Sequence, residues 1–162
     1  PDGVLAGWQA LGRPAGDWLV IGTGGSALAA ARAAVTAGVG LAVRSRSSAR
    51  AVALSQAATA LGAQPADPNR VGLVINCTPL GLAPTDPLPI PVASMPARAA
   101  GLDLVYQRGG TRWTRALTSA GHPAHDGRQV LLGQGVAAFR CWFPALAPPI
   151  EVMDAAINAA LR

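Results

Sequence analysis

Three small residues at fixed spacing form the most informative pattern in the sequence. Gly22, Gly24 and Ala27 follow a short apolar run and precede an alanine-rich segment. A Gly-x-Gly-x-x-Ala turn between a strand and a helix lets a pyrophosphate approach the backbone, and the helix N-terminus adds free N–H groups and a positive dipole end. The turn therefore predicts a dinucleotide-phosphate site, with a glycine turn that holds no ligand as the alternative. Its residues are Gly22, Thr23, Gly24, Gly25, Ser26 and Ala27.

The residues after the second apolar run indicate which dinucleotide would bind. Residues 43–50 read Val-Arg-Ser-Arg-Ser-Ser-Ala-Arg, and no acidic residue occurs between Asp17 and Asp67. A site for NAD usually places an Asp or Glu here to bind the ribose 2′-hydroxyl. Arginines and hydroxyls instead suit a 2′-phosphate, through charge-assisted hydrogen bonds worth roughly 1.5–3 kcal/mol each. We therefore predict NADP rather than NAD; the alternative is a solvated helix start that happens to be basic.

The charged residues exclude several kinds of function. All 13 basic residues are arginines, eight residues are acidic, and the net charge is +5. Because the sequence has no lysine, this chain cannot use one as a base, a Schiff-base former or a proton donor. The arginines are scattered and aromatic residues make up only 4% of the chain. The alternation of arginines with stacking rings that single-stranded nucleic acids require is missing, so we expect no nucleic-acid partner.

Cysteine and histidine usage predicts no metal site. Cys77 and Cys141 are far apart in the sequence, and their apolar neighbours are typical of buried, reduced thiols. His122 and His125 flank Pro123, which prevents a regular helix from presenting both imidazoles on one face, so a loop is predicted there. No apolar stretch reaches the roughly 18 uncharged residues that a membrane span needs. We expect a cytoplasmic protein without a membrane partner.

The order of the predicted elements indicates the fold class. Continuous apolar runs, typical of strands buried on both faces, occupy residues 18–21, 40–43, 71–76 and 101–106. Helices are predicted over residues 28–37, 48–61, 111–120, 127–142 and 149–161, and a proline-rich loop over residues 79–96. This alternation predicts a Rossmann-like, doubly wound α/β fold with a mainly parallel sheet and helices on both faces. We expect one dinucleotide-binding domain, residues 1–162, in which residues 143–162 pack back as a C-terminal helix.

Five motifs, in a fixed order, resemble the C-terminal NADP-binding domain of the shikimate/quinate dehydrogenase family. They are the glycine turn of residues 22–27, Ser-Arg-Ser-Ser-Ala-Arg at 45–50, Asn-Cys-Thr-Pro-Leu-Gly at 76–81, Asp-Leu-Val-Tyr at 103–106 and Asp-Gly-Arg-Gln-Val-Leu-Leu-Gly-Gln-Gly at 126–135. The resemblance covers nearly the whole chain. It implies an NADP-dependent shikimate dehydrogenase, which reduces 3-dehydroshikimate to shikimate by hydride transfer in the shikimate pathway of aromatic amino acid biosynthesis.

The resemblance also implies roles for individual residues. Arg46, Ser47 and Arg50 match the family's clamp for the adenosine 2′-phosphate, although Ser45 stands where the family usually has Asn. The other implied cofactor contacts are Asn76, Cys77, Thr78, Leu104 and Gly127, and the implied substrate contacts are Tyr106 and Gln134. The alternatives for the last two are a packed ring for Tyr106 and a core amide bonded to the backbone for Gln134.

The resemblance places the catalytic residues outside this chain. In the family, a Lys and an Asp of an N-terminal domain carry out the acid–base chemistry, and we interpret Asp2 as a neighbour of that Asp. We therefore expect this chain to bind NADP without turnover and to share shikimate or 3-dehydroshikimate with a missing N-terminal domain. The alternatives are a quinate or quinate/shikimate dehydrogenase and a stand-alone, non-catalytic NADP(H)-binding module. A homodimer is left open.

Overall fold

Six α-helices and five strands alternate along residues 1–161, the part of the chain that the computed structural model describes. The elements are α1 Asp2–Ala10, β1 Asp17–Ile21, α2 Gly25–Ala37, β2 Leu41–Arg44, α3 Ser48–Ala60, β3 Val71–Asn76, β4 Ala100–Asp103, α4 Arg112–Ser119, β5 Ala124–His125, α5 Arg128–Trp142 and α6 Ile150–Ala160. Two 3₁₀ turns, Pro68–Arg70 and Val92–Ser94, lie in the connections.

The five strands form one parallel sheet in the order β2-β1-β3-β4-β5. From β1 the chain moves outward to β2, and from β3 it moves outward in the other direction to β5. The strand order therefore reverses between β1 and β3. In an open parallel sheet, ligands bind outside the carboxyl ends of the strands at such a reversal. The predicted doubly wound, parallel α/β fold is confirmed.

Side-chain alternation along the strands divides the core between the two faces of the sheet. Trp18, Val20, Leu73 and Ile75 point into one hydrophobic cluster, which also contains residues of α1, α2, α3 and α5. Their strand neighbours belong to a second cluster, which contains Trp113 and Leu117 of α4 and the apolar residues Ile90, Met95 and Ala99. The sheet is thus covered on both sides, as continuous apolar strands require.

The helices α1 and α5 cross at very short range because small residues face each other. A Cβ atom on Gly3 would lie 2.5 Å from the carbonyl oxygen of Val130, and one on Gly133 would lie 2.5 Å from Cβ of Ala6. Only glycine fits at such separations. This crossing fixes the start of the chain against α5, whose first residues follow directly after β5.

The predictions for the end of β4 and for the region of β5 were wrong. The strand predicted over residues 101–106 ends at Asp103, because the Asp103 carboxylate accepts the N–H of Val105 at 3.1 Å and turns the chain away. The loop predicted around the two histidines contains β5, a strand of two residues that pairs with Gly101 and Leu102 of β4. A pair of residues carries too little pattern to be recognised as a strand.

Candidate functional site

A cleft of about 840 Å³ opens at the carboxyl ends of β1, β2 and β3, where the strand order reverses. It brings together residues from the first three sequence motifs. Eight of the predicted cofactor residues line it, namely Gly22, Thr23, Gly24, Arg46, Ser47, Arg50, Cys77 and Thr78. The cleft is therefore the place where the glycine turn and the basic segment meet.

The glycine turn has the geometry that a phosphate site needs. Gly22 adopts a φ of +113°, and a Cβ atom there would lie 2.9 Å from the carbonyl oxygen of Cys77. Gly24 caps α2, is exposed, and has open space where a side chain would stand. The N–H groups of Gly25 and Ser26 have no acceptor among the described residues. Ala27 is completely buried, which allows the close packing of α2 on the strand.

Three arginine side chains face the cleft without a partner. Arg44, Arg46 and Arg50 all line it, are exposed, and form no ion pair or side-chain hydrogen bond with residues 1–161. Ser47 caps α3, because its hydroxyl accepts the N–H of Arg50 at 3.4 Å. Uncompensated guanidinium groups beside a helix N-terminus favour a bound anion with several oxygens.

The third motif contributes both to the cleft surface and to its support. Cys77 and Thr78 line the cleft, whereas Asn76 is completely buried beneath them. The Asn76 amide donates to Asp103 Oδ1 at 2.8 Å and to the carbonyl of Leu80 at 3.0 Å, and its Oδ1 accepts the hydroxyl of Thr78 at 2.6 Å. Asn76 therefore shapes the turn from below.

Two buried groups next to this turn have raised pKa values. Burial raises the pKa of the Asp103 carboxyl, although hydrogen bonds from Thr111, Asn76 and Val105 oppose the shift. Burial also raises the pKa of the Cys77 thiol to about 12, and the negative charge of Asp103 adds to the effect. A thiol with this pKa stays protonated near neutral pH, so Cys77 is an apolar part of the cleft surface.

The second cysteine does not match its prediction. Cys141 is exposed at the end of α5, so the prediction of a buried thiol was wrong for it. The apolar neighbours that suggested burial, Trp142 and Phe143, are themselves 74% and 48% exposed.

The residues predicted near the nicotinamide lie together at the ends of the next two strands. Leu104 follows β4, and Gly127 follows Asp126 at the end of β5. A Cβ atom on Gly127 would overlap the carbonyl oxygen of Leu104, so the two backbones are in direct contact. They do not line the cleft itself. They lie at the same edge of the sheet as the cleft, at the ends of β4 and β5.

The two predicted substrate residues are exposed. Tyr106 is 41% exposed in the segment after β4, and the Gln134 side chain is exposed on α5. A packed ring for Tyr106 and a buried core amide for Gln134 are thus both contradicted. Gln134 is near the start of the chain, because a Cβ atom on Gly3 would lie 2.6 Å from its Cγ.

Several residues of the cleft were not among the predicted ones. Arg44 belongs to the basic segment that predicted the site, so its composition could have identified it. The remaining additions come mainly from the proline-rich loop and are Pro79, Leu80, Pro87 and Pro89. Their part in the cleft depends on how the loop folds back, which its sequence does not reveal.

Within residues 1–161, no three His, Cys, Asp or Glu side chains come close enough together to hold a metal ion. None of the helices in that range has the length and apolar character needed to cross a membrane.

No protein-family model matches the chain, but the curated proteins that are similar to it in sequence carry the same name. The shikimate dehydrogenase (NADP(+)) of Halorubrum lacusprofundi is 37% identical over 151 residues, which are 90% of this chain and 55% of that protein. The enzyme of the same name from Thermus thermophilus is 35% identical over 159 residues, 97% of this chain and 60% of that protein. The chain spans somewhat more than half the length of these curated relatives.

Solved structures agree with the sequence matches. The shikimate 5-dehydrogenase of Thermus thermophilus in complex with NADP(H) and shikimate superposes with a TM-score of 0.83 at 34% identity, over 98% of this chain and 61% of that one. The quinate dehydrogenase of Corynebacterium glutamicum in complex with NAD superposes with a TM-score of 0.82 at 26% identity, over 98% of this chain and 61% of that one.

Proposed function

The chain is homologous to shikimate dehydrogenases, of which it matches somewhat more than half the length, and we propose that it forms the NADP-binding domain of such an enzyme. The observation that carries the proposal is the cleft at the strand-order reversal, where the glycine turn faces three arginines that have no partner in residues 1–161. A doubly charged phosphate with its adenosine would neutralise these charges.

The residues of the cleft fit the parts of the cofactor in order. The open space at Gly24 and the unpaired N–H groups of Gly25 and Ser26 suit the pyrophosphate. Arg46, Ser47 and Arg50 suit the 2′-phosphate. Leu104 and Gly127, at the ends of the next strands, would flank the nicotinamide. When bound, NADP supplies the hydride acceptor or donor of the reaction.

The cofactor preference follows from the charges at the end of β2. Residues 18–66 contain no carboxylate that could accept hydrogen bonds from both ribose hydroxyls, and the adjacent arginines favour a phosphate group. Asp17, the acid that precedes this stretch, lies at the opposite end of the sheet and is bound to the N–H groups of Gly40 and Asp67. NADP is therefore the favoured dinucleotide.

We propose that the chemistry needs residues beyond this chain. The chain contains no lysine, and its proposed substrate residues, Tyr106 and Gln134, are exposed side chains. The relatives are longer than the matched region, with 40–45% of their length outside it. In the proposed enzyme, that further part supplies the Lys and the Asp for proton transfer and closes over shikimate or 3-dehydroshikimate.

An exposed apolar segment supports the proposal that another part of the enzyme packs on this domain. Five large apolar side chains near the C-terminus are 45–74% exposed, namely Trp142, Phe143, Leu146, Ile150 and Val152. None of the described residues 143–161 is fully buried, although α6 contacts α5. Contiguous apolar exposure of this kind marks an interaction surface. We propose that this segment, expected to pack back as the C-terminal helix, packs on the rest of the enzyme.

A quinate dehydrogenase is the second candidate, because one superposes on the chain with a TM-score of 0.82. That structure contains NAD, whereas the arginines here favour NADP, and the curated relatives are shikimate dehydrogenases. A stand-alone NADP(H)-binding module, a homodimer and a cytoplasmic location stay predictions.

The proposed cofactor site is tested by calorimetric titration of the purified chain with NADP⁺, NAD⁺, 2′,5′-ADP and AMP. We expect NADP⁺ to bind at least tenfold more tightly than NAD⁺, and 2′,5′-ADP to bind at least tenfold more tightly than AMP, about 1.4 kcal/mol in each case. Equal affinities within each pair would refute a 2′-phosphate site. Absence of binding by all four compounds would refute the dinucleotide site itself.

A further inference from the structure

One wall of the cleft is a proline-rich loop whose backbone has few hydrogen-bonding options. The loop spans residues 79–91, and it presents Pro79, Leu80, Pro87 and Pro89 to the cleft. Five of its thirteen residues are prolines, which have no N–H group and so limit pairing with a neighbouring strand. Ile90 anchors one end of the loop in the second hydrophobic cluster, and side chains that reach backbone groups fix the rest.

One of these side chains belongs to the loop itself. Asp86 Oδ2 accepts the N–H of Gly81 at 3.0 Å and the N–H of Ala83 at 2.9 Å. The carboxylate therefore closes residues 81–86 into a turn. Within this turn the carbonyl of Ala83 accepts the N–H of Asp86 at 3.1 Å, whereas the carbonyl groups of Gly81, Leu82 and Asp86 need donors from elsewhere.

Besides Asn76, which donates to the carbonyl of Leu80, the donors from outside the loop belong to the chain that follows β4. Gln107 Nε2 donates to the carbonyl oxygen of Gly81 at 2.7 Å and to that of Leu82 at 3.2 Å. Arg112 Nη1 lies 3.2 Å from the carbonyl oxygen of Asp86 and donates to it from the first residue of α4. The Gln107 contact is the shorter one, and the Gln107 side chain is half-buried, whereas the Arg112 side chain is exposed.

We propose that Gln107 is a positioning residue for the dinucleotide. Its amide holds residues 79–91 of the proline-rich loop against the segment that follows β4 and so sets the width of the cleft. This inference rests on the proposed NADP site. Gln107 directly follows Tyr106 and stands three residues after Leu104. The segment that carries the proposed substrate and nicotinamide contacts is therefore tied by one side chain to the wall beside the cofactor. Without this tie, binding would have to order the loop first, which weakens affinity.

The test replaces the donor while keeping the side-chain volume. In Gln107→Met, we expect NADP⁺ and NAD⁺ affinities to fall by the same factor, about five- to tenfold, because Gln107 bonds the loop at Gly81 and Leu82 and forms no hydrogen bond with the three cleft arginines. Gln107→Glu, which also lacks a donor, should weaken NADP⁺ binding at least as much. The matched control is Gln56→Met on the exposed side of α3, with no change expected. Titrations are run where circular dichroism shows each variant to be folded.

The outcomes separate this inference from the proposed site. Unchanged NADP⁺ affinity in both Gln107 variants would overturn the positioning role, even if Arg46→Ala abolishes the preference for NADP⁺. A change in the ratio of NADP⁺ to NAD⁺ affinity in Gln107→Met would also overturn it, since Gln107 forms no hydrogen bond with the arginines proposed to bind the 2′-phosphate. If the Gln107 variants fail to fold, Arg112→Met releases another outside anchor, and it should produce the same parallel loss in a smaller amount. Failure of wild-type protein to bind either cofactor would instead refute the proposed function.

Discussion

The side-chain amide of Asn76 donates a hydrogen bond of 2.8 Å to the carboxylate of Asp103, and the two residues end the adjacent strands β3 and β4. Both side chains are completely buried. The second carboxylate oxygen of Asp103 accepts the hydroxyl of Thr111, the N-cap of α4, at 2.7 Å. One buried network thus fixes the turn after β3, the segment after β4 and the start of α4, which together support the cleft.

Replacing Asp103 should therefore destabilise the protein according to how many hydrogen bonds survive. Asp103→Leu leaves the N–H of Val105 and donors of Asn76 and Thr111 without their acceptor, and should lower the free energy of unfolding by about 3 kcal/mol or more. Asp103→Asn keeps one acceptor oxygen and should lower it much less. Urea unfolding monitored by circular dichroism measures both. Equal losses in the two variants would contradict the network.

The pH dependence should have opposite signs for two buried carboxylates. Burial raises the pKa of Asp103 above 3.8, so its contribution is greatest at low pH and falls as the pH rises through the raised pKa. The pKa of Asp17 is lowered, mainly because its carboxylate accepts the N–H of Asp67, so its contribution is present above pH 3.8 and is lost as the pH falls. Between pH 3 and pH 7, the unfolding free energy of wild type minus that of Asp103→Asn should fall. The same difference for Asp17→Asn should rise over that range.

Cofactor preference should depend on the arginines of the basic segment. Arg46→Ala and Arg50→Ala should each weaken NADP⁺ binding at least tenfold, about 1.4 kcal/mol, and leave NAD⁺ binding nearly unchanged. The control is Arg32→Ala, an exposed arginine on α2 that does not line the cleft. Calorimetric titration gives all affinities. Equal losses for the two cofactors would show that these arginines do not bind the 2′-phosphate.

The two glycines of the turn should respond differently to substitution. A valine at Gly24 meets open space, so Gly24→Val should fold, with a change in stability below about 1 kcal/mol, yet block the approach of the pyrophosphate. An alanine at Gly22 must adopt a φ of +113° and approach the Cys77 carbonyl at 2.9 Å, so Gly22→Ala should be destabilised by roughly 1–3 kcal/mol. NADP⁺ titration and thermal unfolding distinguish the two effects. Near-parental NADP⁺ affinity in Gly24→Val would move the phosphate site elsewhere.

The central strand shows how far the sequence could be interpreted. Residues 71–76 were predicted as a strand and form β3 over the same residues, because a strand buried on both faces is a continuous apolar run. The apolar run 104–106 extends the same pattern beyond β4, but the strand ends where the Asp103 side chain binds the Val105 N–H. The hydrophobicity pattern of a segment does not show that a side chain competes for one of its backbone N–H groups.

The candidate site was predictable where one motif supplies one function. The glycine turn and the basic segment are local patterns, and the parallel sheet brings them to one edge. The loop wall was not predictable, because it depends on Gln107 and Asp86 reaching carbonyl and N–H groups that its sequence does not specify. The alternative of a buried core amide for Gln134 was wrong, since an apolar helix suggests burial whether or not another domain covers it.

The two thiols should differ strongly in reactivity. Cys141 is exposed, whereas the Cys77 thiol has a pKa of about 12 and at pH 8 is thiolate in only about one molecule in ten thousand. In folded protein, Ellman's reagent should modify the remaining thiol of Cys77→Ser quickly and that of Cys141→Ser slowly. Both variants should react at the same rate in denaturing urea. Fast modification of Cys141→Ser under folding conditions would contradict the raised pKa.

On the proposed function, the reaction is divided between two parts of an enzyme. The chain has no lysine, and Tyr106 and Gln134, the proposed substrate contacts, are exposed to water. On the proposed function they would form only part of a substrate site. A partial site makes few of the hydrogen bonds of a small polar ligand while bearing the full loss of its translational and rotational freedom. With saturating NADP⁺ and shikimate, the 162-residue chain should show no absorbance of NADPH at 340 nm, and calorimetry should detect NADP⁺ but not shikimate binding.

On the proposed function, activity should appear when the rest of such an enzyme is supplied. The unmatched part of the Thermus thermophilus shikimate dehydrogenase, fused upstream of this chain, should restore NADP⁺ reduction, because it would bring the proton-transfer residues and cover the exposed substrate contacts. In the fusion, Gln134→Ala should raise KM for shikimate more than it lowers kcat, since the proposed role of the amide is to bind substrate and transition state alike. The matched control, Gln56→Ala on α3, should leave both constants unchanged. Turnover by the 162-residue chain alone would refute the division of the reaction between two domains.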